Sequence, residues 1–373
     1  MDKVRLHIVS FDVPYPANYG GVIDVFYRIK SLYELGVEVY LHCFEYGRGE
    51  AIELNKYCKK VHYYKREKSI TDLFSKIPFI VKSRINSELI NRLNEDDYPI
   101  LFEGLHTTGV IGKLINKKRI TFVRTHNIEH QYYDELSKKS NGLKKVFFQL
   151  EAKKLKRFET QLQASTYLLC ITESDLEYFK KINKDAFLLQ PSFAEKKYEN
   201  KELVQYALFQ GNLGVEENDE AACWIIEKVW SDQLKYPLII AGKNPSVKLK
   251  EVSRKYSIQL IDSPDLIQMD NLIENASVHV LYSTQSTGIK LKLLAALQTN
   301  GIVLSNQHLV SGSGLEKYCV IANDSNAFKQ VILNLNNYYL SDEDKMNRRI
   351  LFQTKLNVNL NNQLIVELIQ KHQ

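Results

Sequence analysis

The feature that most restricts this chain is a rhythm. Short apolar runs with strand character alternate with stretches whose apolar residues recur at helical spacing, and small polar or glycine loops lie between them. A first strand over 4–10 runs through the loop 12–21 into a helix carried by Val22, Val25, Phe26, Ile29, Leu32 and Leu35. Gly36 stops that helix, and a second strand follows over 37–42. Further strands are expected over 60–64, 99–104, 120–124 and 166–171, each short, apolar and reached through a helical segment. That is the pattern of a parallel sheet buried on both faces.

The composition then shifts after residue 193, and the polar run over 194–204 reads as a linker. A second series follows, with strands over 206–210, 237–242, 258–261, 276–282 and 301–306. Helices are expected over 218–229 and 246–256, and the tail from 327 to 373 is helical in pattern. The expectation is an α/β protein of two doubly wound, Rossmann-like domains facing a cleft, over 1–193 and 205–355. A C-terminal helix over 356–373 is expected to cross back to the first domain.

Composition bounds the function. The chain has 373 residues, of which 44% are hydrophobic, and no apolar run approaches the roughly 18 residues that span a bilayer. Met1-Asp2-Lys3 leads straight into a strand instead of a signal segment, so a cytoplasmic protein is expected. Cys43, Cys58, Cys170, Cys223 and Cys319 lack the spacing of a zinc site or a disulfide framework. A net charge of +6 suits an anionic ligand or an anionic membrane. No basic stripe with interleaved aromatics points to nucleic acid. A helical tract is expected over about 129–163. Its stretch 143–157 is basic on one side and carries Val, Phe and Leu on the other, which suits peripheral contact with the inner face of a membrane, although such a face is more often only solvated.

Three places carry candidate chemistry. After the strand 276–282 comes a polar loop with Gly288, then a helix with Lys290 and Lys292 near its start. Free N–H groups, the helix dipole and two ammonium groups make an anion site there, although lysines on such helices are often only solvated. Gly20-Gly21 opens the first helix without the GxGxxG dinucleotide pattern. It reads as a loop that tolerates a phosphate or sugar, or simply as a tight turn. His106 and His126 fall just beyond strand ends, where ligands of open α/β sheets sit. No Asp-x-Asp pair offers itself as a metal site.

Four segments together resemble the GT-B glycosyltransferases, and among them the retaining, nucleotide-sugar-dependent enzymes of glycosyltransferase family 4. They are Pro16-Ala17-Asn18-Tyr19-Gly20-Gly21; Arg124-Thr125-His126-Asn127-Ile128-Glu129; Phe209-Gln210-Gly211-Asn212-Leu213, with Asn218, a helix bearing Trp224 and Trp230, and the strand running to Lys243-Asn244-Pro245; and Gly288-Ile289-Lys290-Leu291-Lys292 running on to Ala296. The resemblance implies hexosyl transfer from a nucleotide-diphosphate sugar to a glycan or lipid-linked acceptor, in cell-surface polysaccharide synthesis, without cofactor or metal. Carried over residue by residue, Gly20, Gly21, Gly211, Asn212, Lys243, Thr287, Gly288, Ile289, Lys290 and Lys292 would hold the donor phosphates. Asn18, Tyr19, Asn127 and Glu129 would line the acceptor side, and His106 and His126 would be catalytic.

The sequence departs from the family at its paired glutamates, whose positions fall on Thr287 and Ala295. The basic residues that often follow the first strand of the second domain are also missing over 212–218. These gaps leave a second reading open, a non-catalytic GT-B module that binds a glycan or partner enzyme. An epimerase would need cleft carboxylates, for which only Asp12, Glu103 and Glu129 are available.

Overall fold

The computed structural model describes residues 3–195, 203–231, 234–285 and 288–372. It divides into two compact units, one of Met1–Ala194 with Leu356–Gln373 and one of Glu195–Lys355. In the first, β1 (Arg5–Ser10), β2 (Glu38–Glu45), β3 (Lys60–Lys65), β4 (Ile100–Glu103), β5 (Thr121–Thr125), β6 (Tyr167–Cys170) and β7 (Ala186–Leu188) form a parallel sheet in the order β3-β2-β1-β4-β5-β6-β7. Val9 of β1 pairs with His42 on one side and Phe102 on the other.

Both faces of this sheet are buried, which is why its strands read as nearly continuous apolar runs. Leu6, Ile8 and Leu41 pack against Val25, Ile29 and Leu32 of the helix Gly20–Glu34 and against Ile365 and Ile369 of the helix Val358–Gln370. Val9, Phe102 and Val123 face the opposite layer, with Leu155 and Phe158. The C-terminal helix is tied in by polar contacts as well, Ser31 Oγ donating to Asn359 Oδ1 at 2.7 Å and Arg28 Nη1 to Asn362 Oδ1 at 2.7 Å.

The second unit repeats the plan. Its strands β8 (Val204–Gln210), β9 (Leu238–Gly242), β10 (Gln259–Asp262), β11 (Ala276–Leu281), β12 (Ile302–Ser305) and β13 (Val320–Ile321) run parallel in the order β10-β9-β8-β11-β12-β13. Phe209, Ile240, Val280 and Leu304 meet Ile225, Ile226 and Phe328 in its core. The α/β class with two doubly wound parallel sheets is therefore as the sequence rhythm indicates.

Details differ. The tract read as one helix over 129–163 is two helices, Glu129–Lys139 and Gly142–Glu159, followed by a 3-10 turn over Thr160–Ala164. Gly142 breaks it with φ of +58°, a conformation that glycine adopts without the Cβ penalty. The strand β8 starts at Val204, inside the stretch read as linker, of which 196–202 lie outside the described residues. Three-residue β7 has no sequence signal of its own and is set by pairing Phe187 with Leu169.

In each unit the chain leaves a central strand, winds to one side, and resumes on the other. The order therefore reverses between β1 and β4, and again between β8 and β11. Loops at the carboxyl ends of such strand pairs diverge and leave a crevice, the usual place for a ligand.

Candidate functional site

In the first unit, β1 and β4 deliver their loops side by side. Glu103, the last residue of β4, is fully buried; its Oε1 accepts from Arg28 Nε at 2.9 Å and its Oε2 lies 3.0 Å from His126 Nε2. Asp24, one helical turn before Arg28, accepts from Arg28 Nη2 at 2.6 Å, Arg124 Nη2 at 3.1 Å and the Ser192 amide at 2.6 Å. Burial works to raise both carboxyl pKa values. Arg28 foremost, with Arg124 for Asp24 and His126 for Glu103, outweighs it and holds them below their usual range.

His126 is thus aimed by a buried carboxylate that is itself pinned. His106 is held differently. It follows Gly104, whose φ of +78° turns the chain, and its ring lies 5.6 Å from that of Phe11. His126 meets the same Phe11 ring edge-on at 5.5 Å. Loss of hydration and then repulsion by Arg84 push the His106 pKa well below the ordinary histidine range, so the ring is neutral. Its Nδ1 is buried with no hydrogen-bond partner.

The Gly20-Gly21 pair lies beside the same aromatic ring. A Cβ on Gly21 would come within 2.7 Å of Phe11 Cζ, whereas one on Gly20 would meet nothing within 4 Å. Gly21 is thus required by Phe11 packing, and Gly20 faces open space. Tyr19 donates to Asp12 Oδ2 at 2.5 Å, and Asn18 Oδ1 accepts from Arg48 Nη1 at 3.0 Å, so both side chains brace their own loop. Glu129 is buried; burial, then Glu159 and Asp175, raise its pKa to about 8, while its hydrogen bond to Asn127 works against the rise.

In the second unit the loops after β8 and β11 meet through Asn218. Its Nδ2 donates to the Asn212 carbonyl at 3.0 Å, and its Oδ1 accepts from Lys292 Nζ at 3.1 Å. The Lys292 ammonium also lies 5.1 Å from the Phe209 ring centre. Loss of hydration lowers the Lys292 pKa to about 8; Glu217 partly offsets this, and Lys290 adds to it. Gly242 belongs to the same construction, since a Cβ there would fall 1.9 Å from the Gly211 carbonyl oxygen. Only glycine lets β9 run so close to the loop after β8.

The β11 loop is anchored by Ser283, whose hydroxyl donates to Glu217 and whose carbonyl accepts from Asn306 Nδ2 at 2.7 Å. Gly288 then takes a φ of +68°, and the helix Leu291–Leu297 starts after Lys290 with no side-chain cap. Gly211, Asn212 and Lys292 are therefore brought together, with Gly288, Ile289 and Lys290 on the segment leading to Lys292. Lys243 is exposed, its carbonyl accepting from the Gly214 amide at 2.9 Å. Thr287 lies outside the described residues.

Sequence reasoning missed Asp24, Arg28, Arg124 and the role of Glu103. The available signal was Asp24 and Arg28, spaced i,i+4 inside an apolar helix stripe where charge has no reason to be unless paired. Among the described residues no group of three or more His, Cys, Asp or Glu is placed to hold a metal ion.

No family model matches this sequence. An uncharacterized 44.6 kDa protein in the cps region of Klebsiella pneumoniae is 27% identical over 361 residues, covering 88% of this chain and 90% of that protein. Among solved structures, TarM superposes with a TM-score of 0.72 at 12% identity, over 99% of both chains. Anabaena HepE in complex with UDP and glucose gives 0.67 at 11%, over 99% of this chain and 100% of that one. A trehalose-6-phosphate synthase, studied for glycosyltransfer with retention, gives 0.61 at 12%, over 98% and 99%. At these identities the likeness speaks to architecture, and the architecture is that of the GT-B glycosyltransferases, two doubly wound α/β units matched along almost the whole chain.

Proposed function

We propose that this chain is a retaining glycosyltransferase of the family 4 type, moving a hexosyl group from a nucleotide-diphosphate sugar to a glycan or lipid-linked acceptor in cell-surface polysaccharide assembly. One observation carries the reading. Lys292 stands at the β8/β11 reversal with its ammonium drawn out of water, hydrogen-bonded to the neutral Asn218; Glu217 favours its charge without forming an ion pair with it, and does not restore its usual pKa. A lysine kept charged at a cost in hydration is stabilised by an anion, and a diphosphate beside Gly211 and the Gly288 loop supplies one. The solved structures with UDP and sugars bound have the same two-unit architecture, which supports the choice of ligand.

In this reading the C1–O bond to the diphosphate breaks while the acceptor oxygen bonds to C1 on the same face, and the acceptor proton passes to the departing phosphate oxygen. Lys292 and loop N–H groups hold the charge that develops on the leaving group, a role worth about 3–4 kcal/mol per donor at well-studied sites. In the first unit, His126, fixed by Glu103, and neutral His106 orient the acceptor hydroxyl.

The deciding experiment is a thermal-shift screen against UDP, GDP, ADP, CMP, dTDP and their sugars, followed by product analysis with the donor that binds. A ligand at one hundred times its Kd raises stability by about 2.7 kcal/mol. A shift with one diphosphate and an axial or equatorial linkage matching the donor's would support retention; an inverted linkage would remove it. Ala295, where the family carries a glutamate, favours the non-catalytic module. Tight nucleotide binding without transfer to any glycan acceptor would support that alternative.

The surface of the helix Gly142–Glu159 supports work at an anionic membrane. Leu143 is 89% exposed, with Lys144 and Lys145 beside it, and Val146 and Leu150 are exposed too. Phe148 instead packs edge-on against Tyr133. The neighbouring turn Ile70–Phe74 adds Phe74, 87% exposed, and is joined to the helix where Lys154 Nζ meets the Leu73 carbonyl at 2.7 Å. Co-sedimentation with vesicles should rise with anionic lipid content and fall in a Leu143→Glu/Phe74→Glu variant. Among the described residues, no helix is long and apolar enough to cross a membrane.

A further inference from the structure

Three cations gather round one tyrosine at the carboxyl edge of the first unit's sheet. Tyr46 follows β2, Arg66 follows β3, and Arg84 comes from the turn after the short helix Phe79–Lys82. The guanidinium carbons of Arg66 and Arg84 lie 4.9 Å and 5.4 Å from the Tyr46 ring centre, and Lys68 Nζ lies 5.6 Å from it. Arg66 donates from Nε to Ser83 Oγ at 3.0 Å, and Arg84 donates to the Phe11 and Ile80 carbonyls at 3.1 Å and 2.8 Å. All of these acceptors are neutral, and among the described residues none of the three cations has an ion-pair partner.

Like charges converging on one ring repel, and a single aromatic face offsets little of that. Of the nearby carboxylates, Glu45 is taken up by the Gly47 and Gly49 amides; Asp12, hydrogen-bonded to Tyr19, and Glu129 attract Arg84 without an ion pair, and neither cancels the effect of burial and Arg66. Burial and then Arg66 lower the Arg84 pKa to about 10, and both arginines help keep His106 neutral, which places the cluster next to the histidine pair. Arg84 is buried and fixes the loop after β1, whereas Arg66 is half-buried and Lys68 exposed.

We propose that Arg66, Lys68 and Arg84 form an anion subsite of the first unit that binds a phosphate or diphosphate ester on the acceptor. This rests on the transferase reading above and adds the chemical class of the acceptor. Two sources share the chemistry, a lipid-linked diphosphate and a phosphate ester on a soluble glycan. Arginine forks and a lysine on a partly exposed ring suit either.

The test is calorimetric titration of the full chain with inorganic pyrophosphate, with and without UDP, in the wild type, Arg66→Gln and Lys68→Gln. Arg84 is left intact because it holds two backbone carbonyls. Each variant should weaken pyrophosphate binding about 10- to 100-fold, the effect of one charge-assisted hydrogen bond, and leave UDP affinity unchanged. Equal pyrophosphate affinity in all three proteins, with UDP binding normally, overturns the subsite alone. Arginine-dependent pyrophosphate binding without UDP binding keeps the subsite and overturns the transferase reading. Farnesyl diphosphate and glucose 1-phosphate then separate the sources. Tighter binding of the first than of pyrophosphate assigns a lipid-linked acceptor, and of the second a soluble phosphoglycan. If neither exceeds pyrophosphate, acceptor recognition at this subsite is overturned.

Discussion

Glu103 lies 3.0 Å from His126 through one oxygen and accepts from Arg28 at 2.9 Å through the other, so the orientation of a strand-end histidine is fixed by a helix two elements away. The two contacts separate by mutation. His126→Ala removes a group at the edge of the network and leaves Glu103 paired with Arg28. Turnover should fall by about 10²-fold, the cost of a misplaced reacting group, with a loss of stability near 1–2 kcal/mol for one buried hydrogen bond. Arg28→Ala takes the main cation from two buried carboxylates, leaving Asp24 with Arg124 and Glu103 with His126, and should cost about 3–5 kcal/mol. Denaturation and initial rates on the two variants give the comparison. A His126→Ala protein as unstable as Arg28→Ala, with activity following the folded fraction, would make the histidine structural.

Lys292 predicts a proton uptake. In the free protein its pKa is about 8, with burial the main cause. A bound diphosphate favours the charged form and raises that pKa, so near pH 8.5 binding must draw protons from the buffer, whereas near pH 6 the amine is already protonated and uptake vanishes. Affinity for the diphosphate should accordingly weaken as pH climbs through 8. Calorimetry in two buffers of different ionisation enthalpy measures the uptake directly. Lys292→Ala should abolish it and weaken binding about 10-fold or more. A pH-independent heat in the wild type would place the diphosphate away from this residue.

The fold was legible because a parallel sheet buried on both faces writes itself as apolar runs, with glycines such as Gly36 and Gly242 marking where strands turn or approach one another. The strand-end candidates followed from the same pattern. Hidden from the sequence were relationships made only by the sheet order: Tyr46, Arg66 and Arg84 converge because β2 and β3 end side by side, and Asn218, bonded to Asn212, reaches Lys292 across 74 residues. The family resemblance puts Glu129 on the acceptor side. The backbone turns it inward, where Glu159 packs, and nothing in its neighbours' identities announces that.

That buried carboxyl predicts a pH-dependent stability. Glu129 titrates near 8 in the folded protein against 4.5 for an ordinary glutamate, chiefly through burial. Below about pH 4.5 both folded and unfolded chains hold the proton. Between pH 4.5 and 8 the unfolded chain releases it and the folded one keeps it, so the contribution to stability falls as pH rises, and the loss is complete above about 8. Glu129→Gln removes this term. The variant's melting temperature relative to wild type should climb steadily from pH 5 to pH 8, by an amount corresponding to at most about 4 kcal/mol. A difference that stays flat over that range would mean Glu129 is ionised throughout.

Ala295 tests whether the donor lies where the GT-B architecture suggests. It sits on the helix Leu291–Leu297, three residues beyond Lys292, partly buried against the cluster of Tyr206, Leu208, Ala241, Ile273 and Ala276. The residue is not fully enclosed, so a longer polar side chain has an exit to solvent. If the nucleotide's ribose hydroxyls lie over this helix, Ala295→Glu offers them a carboxylate acceptor, and a charge-assisted bond of about 1.5–3 kcal/mol should tighten UDP roughly 10- to 100-fold. The same change brings a negative charge onto the Lys292 helix and should raise that lysine's pKa, reducing the proton uptake described above. Tighter UDP with smaller uptake would locate ribose and diphosphate together on this one helix. Smaller uptake with unchanged UDP affinity would keep the diphosphate at Lys292 and move the ribose elsewhere, so the two halves of the assignment fail separately.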